Sequence, residues 1–147
     1  MEVVTTIVLV SIFAAVGTIS YFSIVTNSKD SSAENNLNQA AAALQTYYQE
    51  WTVYPPIVSQ TAPTVSQIEP DFTIIDGTSN TGLSTSTTIL SYFATSSTAT
   101  LTALSSSGSC LELTIYAPTT NTPDLHIRTT SANCYASNGL TPSSNQW

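Results

Sequence analysis

The chain carries a single histidine, His126, and no serine or cysteine nucleophile stands in an order or spacing that would pair with it. Read as strands, residues 110–116 and 125–130 alternate so that Leu111, Leu113 and Ile115 face the core with Leu125 and Ile127. Glu112 then shares the solvent face with His126 and Arg128, an exposed charge group of little energetic value rather than a catalytic dyad. Glu69, Asp71 and Asp76 are loop acids of a kind that calcium can use, with a solvated acidic loop the favoured reading. The two cysteines, Cys110 and Cys134, favour a disulfide over two buried thiols, because the chain is polar and of exported character. Together with one distant histidine they lack the ligand spacing of a zinc site. No catalytic residue, metal or cofactor is expected. The acid that stands out is Glu2, directly ahead of residues 3–28, a run without any charge. At a helix start it complements the dipole by about 0.3–1 kcal/mol. At bilayer level a carboxylate is costly and calls for a partner, of which the terminal amine of a neighbouring subunit is the natural one.

Composition narrows the function classes. Charged residues make up 7% of the 147 residues, against about 25% in ordinary globular domains. Ser, Thr, Asn and Gln fill the gap, as on extracellular surfaces. The net charge is −7, and Lys29 and Arg128 are the only fixed cations. Phosphate backbones demand clustered Lys and Arg, so a lone subunit is not expected to bind nucleic acid directly.

Four segments position these residues. Residues 1–28 form an apolar helix long enough to cross a bilayer. Within it Ser11, Ala14, Ala15 and Gly17 are small or hydroxylated residues that let helices approach closely. Residues 29–54 continue the stalk as an amphipathic helix, in which Ala33, Leu37, Ala40, Leu44, Tyr47 and Trp51 recur at three- and four-residue steps. That stripe suits packing on a sheet or on neighbouring helices. The polar band 27–36 offers caps for a fresh helix start, and Tyr54-Pro55-Pro56 ends the helix. Residues 55–88 form a long loop with a short strand at 72–75 and a turn at Asp76-Gly77. Residues 89–147 read as a sheet built from runs 89–93, 98–104, 110–116 and 125–130, with 105–109 a hairpin loop. The expected fold class is α+β: a long N-terminal helical stalk whose C-terminal half packs on a small antiparallel β-sheet head.

The N-terminal stretch resembles the mature N-terminus of type IV pilins and the related pseudopilins of type II secretion. In that family a glutamate precedes an uninterrupted apolar helix with a hydrophobic-Ala-Ala-hydrophobic run. Here Glu2 is followed by VVTTIVLV and then by Ser11-Ile-Phe-Ala-Ala-Val16. The aromatic helix end, Tyr47-Tyr48 to Tyr54-Pro55, and a C-terminal sheet with a nearby cysteine pair look similar as well. The family has its glutamate fifth in the mature chain; here the acid is second, so either the first mature residues and leader lie outside this chain or the processing differs. The family's mid-helix proline has no counterpart near Ile19, which implies a more continuous helix, with residues 17–20 the first place for a break. The resemblance implies a major pilin that polymerises with itself into an extracellular filament supporting adhesion, motility or DNA uptake. Glu2 would be the assembly residue. Inner-membrane lipid would be the partner before assembly, and prepilin peptidase and the pilus assembly machinery would act on the chain. A secretion pseudopilin and a monomeric membrane-anchored binding module are the alternatives.

Overall fold

The computed structural model describes residues 2–57, 64–78, 81–130 and 133–136, with the backbone alone for residues 2–23. It is an α+β structure of one long helix, α1 (Glu2–Trp51), and five strands: β1 (Thr73–Asp76), β2 (Ile89–Ala94), β3 (Thr98–Leu104), β4 (Cys110–Tyr116) and β5 (Leu125–Thr129). A one-turn helix, α2 (Val65–Ile68), precedes β1 and is closed by a capping box between Thr64 and Gln67.

α1 runs as one helix of 50 residues. It passes through Gly17 and through the polar band without the break that local caps could have caused. The reason is visible in the band itself. Asn36 donates its side-chain amide to the Thr87 carbonyl at 2.8 Å, and Asp30 accepts bonds from the sheet rather than from its own backbone. Polar side chains disrupt a helix when they bond their own main chain; these are used elsewhere. α1 ends at Trp51, before the prolines. Thr52 takes the left-handed conformation, φ 59°, and its N–H bonds the Tyr48 carbonyl at 2.8 Å. A β-branched residue is unusual at such a helix exit.

The sheet order is β1-β2-β3-β4-β5. β2 to β5 form an antiparallel meander, as the sequence predicts. The sheet is nonetheless mixed, because β1 pairs with β2 in parallel. Twelve residues, 77–88, return the chain to the same end of the sheet, the length a parallel connection needs. In this connection Gly82 crosses directly over the backbone of Asp76, where a Cβ would lie 1.6 Å from the Asp76 carbonyl oxygen. The 105–109 hairpin forms as predicted, with Ser105 N–H on the Ser109 carbonyl and Gly108 at φ 87°.

The core is the stripe of α1 on one sheet face. Ala33, Leu37, Ala40, Ala41 and Leu44 pack with Leu90, Tyr92, Leu101, Leu111, Leu113 and Ile115. Tyr47 is buried at the end of the stripe, while Trp51 is 44% exposed and does not join it. Fully burying each leucine contributes about 1.5–3 kcal/mol. The opposite face is buried too. Register places Ser91, Thr102, Glu112 and Ile127 side by side there, all buried, and the Ala136 N–H donates to Ser91 Oγ at 3.1 Å.

Candidate assembly site: the helix and its junction with the head

In the described part of α1, the first buried side chain is Asp30. Residues 24 and 26–29 are exposed, Ile24 by 67%. Residues 30–47, the stretch covered by the head, span about 26 Å at ~1.5 Å per residue, whereas the whole helix spans about 75 Å. Glu2, Ser11, Ala14, Ala15 and Gly17 lie in the helical backbone beyond the head. Their side chains, and nearly all of the apolar run 3–25, lie outside the described residues. Among the described residues, no helix is long and apolar enough to cross a membrane.

The point where α1 leaves the head is held by a buried charge network. Asp30 is 1% exposed. Its carboxylate pairs with the Arg128 guanidinium of β5 and accepts from the hydroxyls of Ser105, at 2.5 Å, and Ser107 in the hairpin. A fully buried carboxylate is tolerated only when paired and hydrogen-bonded, and this one is both. The geometry corrects the strand faces read from alternation. Arg128 stands opposite Leu111 and His126 opposite Leu113, on the helix face, while Glu112 stands opposite Ile127 on the far face. Glu112 therefore does not join His126 and Arg128. Alternation fixes that neighbours point apart, not which way; with buried residues on both faces of the sheet, β5 lies in the opposite phase. The sequence reading missed Asp30. Its signal was present: Asp30, Ala33, Leu37, Ala40, Leu44 and Tyr47 continue one three-and-four spacing, so the acid occupies a stripe position.

Next to this junction, Cys110 and Cys134 form the expected disulfide, with Cα atoms 5.4 Å apart. It fixes the segment 133–136 over the far face, where the Cys134 carbonyl accepts from the Ser84 N–H at 2.8 Å. Ser84 Oγ in turn accepts from the Leu104 N–H at the start of the hairpin. The disulfide, the hairpin and the Asp30 network thus share one end of the head.

The acids Glu69, Asp71 and Asp76 do not converge. Among the described residues, no group of three or more potential ligands could hold a metal ion. Burial and the nearby Asp71 raise the Glu69 carboxyl above its usual range, opposed by a hydrogen bond from Gln39, and Asp76 Oδ1 accepts from the Thr78 N–H. At the other end of the head, burial pushes the Tyr54 phenol up to about 12, helped by Asp124 and Tyr48. Two of the shallow grooves among the described residues lie at this end. One, of about 430 Å³, lies between residues 53–57 and the end of β2. The other, of about 300 Å³, lies between α1 and the turn after β4. Set against protein-family models, curated proteins and solved structures, the chain matches none.

Proposed function

We propose that this protein is a structural subunit that polymerises through α1 into an extracellular filament of the type IV pilus kind, with the head coating the fibre. Such a fibre would support adhesion, motility or DNA uptake. The observation that carries the reading is the length of α1: the head covers residues 30–47, and about 40 Å of helix extends past them. A helix extension that begins with an exposed Ile24 and continues as an apolar sequence needs a second surface, either lipid or other helices. Ser11, Ala14, Ala15 and Gly17 suit other helices. The subunit would wait with its apolar helix in the membrane. On assembly, helix contacts replace lipid contacts, and Glu2 neutralises the terminal amine of an adjacent copy. Prepilin peptidase and the assembly machinery are the partners that the resemblance implies.

A second reading, a membrane-anchored surface module, is favoured by one observation. The stripe of residues 33–47 is occupied by the protein's own sheet, so it does not by itself argue for neighbours. Electron microscopy of material sheared from expressing cells separates the two. Filaments composed of this chain are expected; protein found only in the membrane fraction would sink the filament reading. Glu2→Ala should leave the head folded and the subunit in the membrane, with fibre yield reduced at least tenfold. Undiminished yield would remove Glu2 from assembly.

A further inference from the structure

The groove between α1 and the turn after β4 has a lining that selects for one ligand chemistry. Gln45 and Gln49 project from the helix, Asn121 and Asp124 come from the turn, and Tyr116 lies at the end of β4. The cleft is built around Asp124, whose Oδ2 accepts from Gln45 Nε2 at 3.2 Å and whose Oδ1 accepts from the Tyr116 N–H at 3.3 Å. These two bonds tie the turn to the helix and to the strand. Asn121 holds the left-handed conformation, φ 52°, and it and Gln49 are exposed.

We infer that this groove binds a neutral saccharide. Two properties of the lining carry the inference. Amide side chains both donate and accept, and so match a ligand whose hydroxyls do the same. No Lys or Arg lines the groove and Asp124 is negative, which disfavours phosphate, carboxylate and acidic sugars. The volume of about 300 Å³ sits at the small end of ligand sites, roughly 300–1,000 Å³. Its polarity disfavours an apolar ligand.

All five residues belong to one copy, so the site does not depend on assembly. If the filament reading holds, repetition of the groove along a fibre would raise avidity by about 10²–10⁴ over the single site. The test uses the full chain, solubilised in detergent, and ligand-observed saturation-transfer NMR with lactose, maltose and cellobiose, with 3′-sialyllactose as the acidic counterpart. At least one neutral disaccharide should show saturation transfer, with the sialylated sugar weaker. The double variant Gln49→Ala, Asn121→Gly should lose at least tenfold in affinity. Both positions are exposed, and glycine keeps the positive φ at 121, so an unchanged thermal midpoint identifies the loss as local. No binding by any of the three neutral sugars, equal binding of the acidic one, or binding that survives the double substitution would each overturn the proposal. None of these outcomes bears on whether the chain forms filaments.

Discussion

Asp30 and Arg128 form one ion pair, but their surroundings are unequal. The Arg128 side chain is 32% exposed and Asp30 only 1%, so arginine left alone can turn to water while aspartate cannot. Arg128→Met should therefore cost more stability than Asp30→Asn at neutral pH, by roughly 1–2 kcal/mol within the 3–5 kcal/mol range for broken buried pairs. Urea midpoints of the two variants measure the difference, and it should persist at high salt because the pair is shielded from ions. Tyr54 provides a pH test. Its hydroxyl is buried and makes no hydrogen bond among the described residues, and its pKa is raised from 10.0 to about 12. In that window the folded state holds a proton that the unfolded state has released, so stability is full below pH 10 and falls as pH rises towards 12. Tyr54→Phe should reduce this alkaline loss, leaving the share of Tyr92, whose buried phenol is also pushed up, and should change neutral stability by less than about 1 kcal/mol. Thermal midpoints taken between neutral and alkaline pH decide the point. Thr52→Gly should raise stability by about 0.5–1 kcal/mol, since it relieves a positive φ on a β-branched residue.

At the scale of the element, α1 is two helices in one. From residue 30 its stripe is core of the head; before that, the described residues 24–29 are nearly all exposed. Substitutions in the two parts should separate. Leu44→Ala should destabilise the head by about 2–5 kcal/mol through lost transfer and a cavity. Ile24→Ser should leave the unfolding midpoint of the single chain within about 0.5 kcal/mol. Under the filament reading it should lower fibre yield. A head destabilised by Ile24→Ser would mean that the helix before residue 30 is packed on the head after all.

For the whole molecule, the disulfide joins the covering segment 133–136 to the end of the head that grips α1. Its sequence separation of 24 residues gives about 3.5 kcal/mol in the chain-entropy model. The double variant Cys110→Ser, Cys134→Ser should lose about that much, read by urea denaturation. It should also raise hydrogen exchange at the 105–109 hairpin, because the Ser84 bridge connects the two.

The helix, all five strands to within a residue, the hairpin and the disulfide are legible in the sequence because each depends on local periodicity, turn chemistry or a count of cysteines. Three things needed the tertiary structure. β1 joins in parallel because the connection after it folds back over Asp76, and pairing between distant segments leaves no local mark. β5 presents Arg128 to the helix because period-two alternation fixes relative but not absolute direction. Asp30 becomes the anchor of the stalk because a lone acid on an apolar stripe gains meaning only when a cation from residue 128 and two hydroxyls from a hairpin arrive at the same point. What the sequence determined by itself is thus the set of elements, whose causes are local. What the fold decided is which polar groups meet, since the stabilisation of a buried charge depends on partners brought from 75 to 98 residues away.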